Sequence, residues 1–125
     1  MAARDECIDA LYEQVRREVP ITRTAYGNSL YGWEIEPVMI DGERIGVFIR
    51  RGTEVHIHLA ADKALMHARR VIRQHIASNL KALGHLTTRS TSDPKAIRFL
   101  RRLGFYRVGE DGTLSVFRLD TLKIQ

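Results

Sequence analysis

Asp93-Pro94-Lys95-Ala96-Ile97-Arg98-Phe99-Leu100-Arg101-Arg102-Leu103-Gly104-Phe105-Tyr106-Arg107-Val108 is the stretch on which the fold turns. Asp93 offers a side-chain oxygen to the free N–H groups of a helix start. Pro94 suits the first helical position, where a missing N–H leaves nothing unpaired. Ile97, Leu100 and Leu103 follow at three-residue steps, the apolar stripe of a short amphipathic helix. Gly104 stops that helix, and Phe105 to Val108 open a strand.

Working outward, Leu114 to Leu119 read as a further strand, joined to the first by the turn signal Glu110-Asp111-Gly112. Upstream, His85 to Arg89 form a Thr-rich strand candidate. Before it, Asp62 to Leu83 hold Ala64, Leu65, Ala68, Val71, Ile72, Ile76, Leu80 and Leu83 at helical steps, with Asp62 as cap and Gly84 as stop. Three strand candidates precede that helix: Trp33 to Ile40, Arg44 to Arg50 and Thr53 to Leu59. Asp41-Gly42 and Arg51-Gly52 turn the chain between them, so they form an antiparallel meander. In the third strand Val55, Ile57 and Leu59 face one way, and Glu54, His56 and His58 the other. Arg4 to Val19 read as a helix ended by Pro20, and residues 21–32 as a loop or a short interrupted segment.

With 125 residues, 44% of them hydrophobic, the chain is one domain with its own core. Its one cysteine, Cys7, cannot close an internal disulfide, which fits a reducing compartment, and Asp5, Glu6 and Asp9 disfavour a thiolate there. No apolar run reaches membrane-spanning length and the N-terminus shows no signal-peptide core, so a cytoplasmic protein without membrane contact is expected. Charge is uneven. Residues 1–60 carry a net of −3 and residues 61–125 a net of +8. An anionic partner such as a nucleotide cofactor, a nucleic acid or an acidic protein follows from that, as does the plainer reading of solvated helix faces. With few aromatics to stack on bases, nucleic-acid binding by this half would be phosphate-driven and salt-sensitive.

The second half of the chain resembles the GCN5-related N-acetyltransferase (GNAT) superfamily. Ala96, Ile97, Leu103, Gly104 and Phe105 match its helix-to-strand motif, and the order of elements from about residue 33 onward matches too. The resemblance implies a mixed α/β (α+β) fold. It has a central, mostly antiparallel sheet of about six strands and three helices, in a single domain spanning residues 1–125. It also implies acetyl-CoA as cofactor, with no metal. Glu54, His56 and His58 then line the acceptor cleft as candidate catalytic bases. Leu59, His67, Arg69, Arg70 and Asp93 lie along the implied cofactor path.

Two departures bear on activity. The family's pyrophosphate loop carries glycines before the long helix, whereas Ala64-Leu65-Met66-His67-Ala68-Arg69-Arg70 has none. Arg69 and Arg70 offer side-chain contacts in place of a backbone cradle. Leu100 stands where many members place a tyrosine that protonates the departing thiolate. Ile97-Arg98-Phe99-Leu100, Asp111-Gly112 and Leu114 to Phe117 are also similar to small GNAT-like proteins of tailed bacteriophages, among them internal virion proteins. The expectation is a phage-type protein with a degenerate acetyl-CoA site. Such a protein is a non-catalytic binding or virion-associated component, in the host cytoplasm or the particle, partnered by phage or host protein. The alternative is an active acetyl-CoA-dependent N-acetyltransferase.

Overall fold

The computed structural model describes residues 2–59 and 65–123, with side chains described from residue 4 to 59 and from 68 to 123. The element order is α1 (Ala2–Val15), α2 (Arg23–Ser29), β1 (Glu34–Ile40), β2 (Glu43–Arg51), β3 (Glu54–Leu59), α3 (Leu65–Leu83), β4 (Leu86–Ser90), α4 (Pro94–Leu103), β5 (Tyr106–Asp111) and β6 (Leu114–Leu119). Six strands make one sheet in the order β1-β2-β3-β4-β6-β5. Every neighbouring pair is antiparallel except β3 and β4. The mixed α+β fold expected from the sequence is the one observed.

Local chemistry sets the meander. Asp41 and Gly42 both sit at positive φ, 50° and 79°, the pairing that a two-residue type I′ hairpin demands. Gly52-Thr53 and Gly112-Thr113 close the other two tight hairpins. On the outer edge of the sheet, β1 carries Pro37, which has no N–H to offer a neighbouring chain.

The sheet has a core on each face. Phe48, Val55, Leu86, Phe117 and Leu119 project to one side, where Ala68, Ile72 and Ile76 of α3 and Leu103 of α4 cover them. Val47 and Ile49 project to the other, against Cys7, Ile8 and Leu11 of α1 and Leu30. Burial holds the Cys7 thiol above its ordinary range, although Arg44 nearby pulls the other way. The alternation read in β3 is the one observed: Val55, Ile57 and Leu59 join the α3–α4 core.

Among the described residues there are four helices, not the three expected. The extra one, α2, falls in the segment read as a loop or a short interrupted segment. Its propensity is poor, with a glycine inside seven residues. Tertiary and capping contacts hold it: Thr22 Oγ1 accepts from the Ala25 N–H at 3.1 Å, Arg23 pairs with Asp9 of α1 at 2.7 Å, and Leu30 is buried beyond its end. The first helix is shorter than Arg4 to Val19 and ends at Val15. A turn follows, in which the Glu18 and Val19 N–H groups both donate to the Val15 carbonyl. Arg16 and Arg17 therefore lie beyond the helix instead of in its last turn. The expected cap of α3 at Asp62 lies outside the described residues.

The opening stretch is as read. Asp93 Oδ1 accepts from the Lys95 N–H at 3.2 Å, Pro94 begins α4, and Gly104 ends it at φ 112°. A Cβ at position 104 would lie 2.7 Å from the Thr121 carbonyl oxygen. Gly104→Ala thus combines a left-handed backbone with a clash against rigid main chain, and is expected to cost about 2–3 kcal/mol. A thermal melt should show the midpoint fall by several degrees.

Candidate functional site

The parallel pair β3–β4 is where the sheet comes apart. One residue pair, Glu54 with Thr87, is in register. The Thr87 N–H donates to the Thr53 carbonyl at 2.8 Å, and the two threonine hydroxyls lie 3.3 Å apart. In a parallel ladder the next bond would run from the Arg89 N–H to the Val55 carbonyl. The buried hydroxyl of Thr88 occupies that carbonyl instead, donating at 2.6 Å. The ladder stops there, and the strands diverge around a cleft of about 180 Å³.

Strand alternation dictates what the cleft presents. The Val55 carbonyl faces β4, so the N–H and C=O of Ile57, two residues on, face the same way, into the gap. Its walls are apolar: Val55, Ile57 and Ile76 on one side, Phe99, Leu100, Leu103 and Phe105 from α4 and beyond on the other. Thr88, Arg89, Ser90 and His56 provide the polar rim. A strand edge with an unpaired amide, set in an apolar slot, accepts an extended ligand that carries amides of its own.

At the apex the charged groups form a chain. Oε2 of Glu54 accepts from Arg89 Nε at 3.0 Å and Nη2 at 2.8 Å, while Arg89 Nη1 reaches Asp111 Oδ2 at 2.8 Å. The same Glu54 oxygen lies 2.7 Å from His56 Nε2. Burial alone would raise the Glu54 pKa, but hydrogen bonds from His56 and Arg89, with their charges, outweigh it and hold the carboxyl below its usual range. Glu54 is therefore a carboxylate at neutral pH and can only accept. The proton in the contact with His56 is therefore carried by Nε2, which donates to Glu54. The His56 ring also lies 5.7 Å from the Trp33 ring, whose face Arg51 covers at 4.6 Å.

The sequence candidates separate on this geometry. Glu54 and His56 meet beside the cleft, Glu54 accepting through Oε2 and His56 on the cleft's rim. His58 does not join them. It lines a separate cavity of about 120 Å³ beneath α1 with Leu11, Gln14 and Arg44. Leu59 packs its side chain against the core, and its carbonyl accepts from Gln14 Nε2 at 3.3 Å. Asp93 is engaged at the start of α4. Arg69 and Arg70 lie in the second turn of α3, Arg70 exposed, and the side chain of His67 is outside the described residues. Among the described residues, no cluster of His, Cys, Asp and Glu suits a metal ion, and no helix is long and apolar enough to cross a membrane.

Arg89 and Thr88 are the residues that sequence reasoning passed over. Their only signal is a cation and a hydroxyl on neighbouring positions of a short Thr-rich strand.

His58 gives a test of the α1 face. Burial pushes its imidazole below the ordinary value of 6.5, and the charge of His56 adds to the effect. A histidine with a depressed folded pKa contributes its full stability above the unfolded value. That stability is lost as pH falls from about 6.5 toward the lower folded value, because the unfolded chain takes up the proton first. Urea midpoints measured between about pH 8 and pH 5 should fall for the wild type and fall less for His58→Gln.

No protein-family profile and no curated protein sequence matches the chain. Solved structures do. The chain is similar to the ribosomal-protein-S18-alanine N-acetyltransferase from Escherichia coli, with a TM-score of 0.67 and 14% identity over 94% of this chain and 90% of that one. It is similar to the aminoglycoside acetyltransferase AAC(6')-Ib in complex with coenzyme A, with a TM-score of 0.72 and 15% identity over 93% and 90%. It is also similar to the Campylobacter jejuni N-acetyltransferase PseH in complex with acetyl coenzyme A, with a TM-score of 0.65 and 16% identity over 90% and 89%. At such identities the likeness is one of fold, and the fold is that of the GNAT acetyltransferases.

Proposed function

We propose that the chain is an acetyl-CoA-dependent N-acetyltransferase whose cofactor enters the cleft between β3 and β4. One observation carries this reading: the ladder stops at Val55 and leaves the Ile57 amide facing an apolar slot. The pantetheine arm is a chain of amides that suits such an edge. Arg69 and Arg70, in the second turn of α3, are the cations for its pyrophosphate. Bound there, acetyl-CoA would supply an activated acetyl thioester for an amine, with the CoA thiolate as leaving group.

The chain's own part is positioning and proton transfer. An alkylamine is protonated at neutral pH and must lose a proton to attack. His56 Nδ1 takes that proton, and Glu54 keeps the ring in the tautomer that leaves Nδ1 free. Glu54 is itself in turn held by Arg89. Leu100 has no proton to give the leaving group, but a thiol pKa of about 8.5 lets it depart as thiolate. Proximity in a closed slot supplies much of the remaining rate.

A second reading is the non-catalytic binding component, virion-associated in a phage. The absence of glycine at the start of α3 and of a hydroxyl at Leu100 favours it. Calorimetry with acetyl-CoA, followed by acetyl transfer to a panel of amines, separates the two. The enzyme reading expects micromolar binding that survives His56→Ala and a transfer rate that falls about 100-fold in that variant. The binding-component reading expects no heat of binding and no transfer, for wild type and Arg69→Ala/Arg70→Ala alike.

A further inference from the structure

The described acidic residues of the C-terminal half are all committed. Among the described residues of 61–125, Asp93 caps α4, Glu110 pairs with Arg107, Asp111 with Arg89, and Asp120 with Arg118 and Tyr106. The net of +8 in this half is therefore not neutralised from within. Four of its 13 cations lie on α3 and four on the shorter α4, where they are densest. Lys95, Arg98, Arg101 and Arg102 are exposed on α4, a helix of 10 residues with no acidic residue.

At 100° per residue these four fall within one third of the helix circumference. The opposite side, Ala96, Ile97, Phe99, Leu100 and Leu103, is turned to the core and the cleft. Among the described residues, Lys95, Arg98 and Arg101 make no ion pair. The 19-residue α3 spreads the same number of cations, Arg69, Arg70, Arg73 and Lys81, over nearly twice the length. Arg101 and Arg102 lie in the last turn, where the helix dipole favours a cation, but the rest of the row runs against the helix. Lys95 sits in the first turn, at the positive end of the helix dipole, and Lys95–Arg98 and Arg98–Arg101 are like-charge neighbours.

We propose that the exposed face of α4 is a docking surface for the phosphate backbone of a nucleic acid. The composition of the face selects this occupant. A membrane surface is held by an apolar face alongside the basic one, and the apolar side of α4 is occupied within the fold. A protein interface has an apolar or aromatic centre, and this stripe has none. What remains is a row of cations, mostly arginines, which suits regularly spaced phosphates without reading sequence. The surface stands apart from the acyl-transfer site and needs no cofactor.

The test is anisotropy with a labelled DNA duplex of about 20 base pairs, titrated across salt from about 50 to 200 mM. Three proteins are compared: wild type, Lys95→Gln/Arg98→Gln/Arg101→Gln, and a control of equal charge, Arg17→Gln/Lys81→Gln/Lys123→Gln. Circular dichroism checks that each is folded. The α4 variant should bind at least about tenfold more weakly at low salt, and its slope of log K against log salt should be shallower by about 2–3. The control should keep the wild-type slope. Equal losses in both variants, no binding by wild type at low salt, or tighter binding to phosphatidylserine vesicles or polyglutamate than to DNA would each overturn the proposal.

Discussion

The hydrogen bond from Thr88 Oγ1 to the Val55 carbonyl, 2.6 Å long and buried, is the constraint on which the site depends. A carbonyl in the interior must be paired, and in a parallel ladder the partner here would be the Arg89 N–H. By taking that acceptor, one side-chain hydroxyl ends the ladder with the Val55 carbonyl still paired. The strands part, and α4 is free to place Phe99 and Leu100 against the opening. Without the threonine, the sheet would either zip further and close the slot or carry an unpaired carbonyl at about 1–3 kcal/mol.

Everything polar at the site lies at the apex of that divergence. Arg89, one residue after Thr88, points to the opposite face of β4, where it meets Glu54 from β3 and Asp111 from the β5–β6 hairpin. The three strands are thus tied at the point where backbone bonding ends. Glu54 enters this tie through Oε2, and its lowered pKa makes it a poor base and a good anchor. His56, two residues on, is oriented by the same oxygen. Removing either Arg89 or Glu54 would loosen the apex as well as the ring, so His56 is the residue whose loss reports on chemistry alone.

Much of this was legible in the chain. The caps of α4, the Asp41-Gly42 hairpin and the two-faced alternation of β3 are local chemistry, written in adjacent residues. The helix α2 was not, because its glycine and short length argue against a helix, and the contacts that hold it, Arg23 to Asp9 and the burial of Leu30, come from elsewhere. Nor were the roles of the β3 face. Period 2 makes Glu54, His56 and His58 equivalent, and only the third dimension divides them: Glu54 faces Arg89, 35 positions away, and His58 faces α1. The closing of the Val55 carbonyl by Thr88, across 33 positions, leaves no local trace at all.

Cofactor entry between β3 and β4 requires an unpaired Ile57 amide in the slot, and amide hydrogen exchange reads that group directly. In the free protein the Ile57 N–H should exchange faster than those of His56 and His58, which pair with β2. With saturating acetyl-CoA, exchange at Ile57 should slow by about tenfold or more while its two neighbours stay unchanged. An Ile57 amide already as protected as its neighbours, or one that saturating acetyl-CoA leaves untouched, would contradict it.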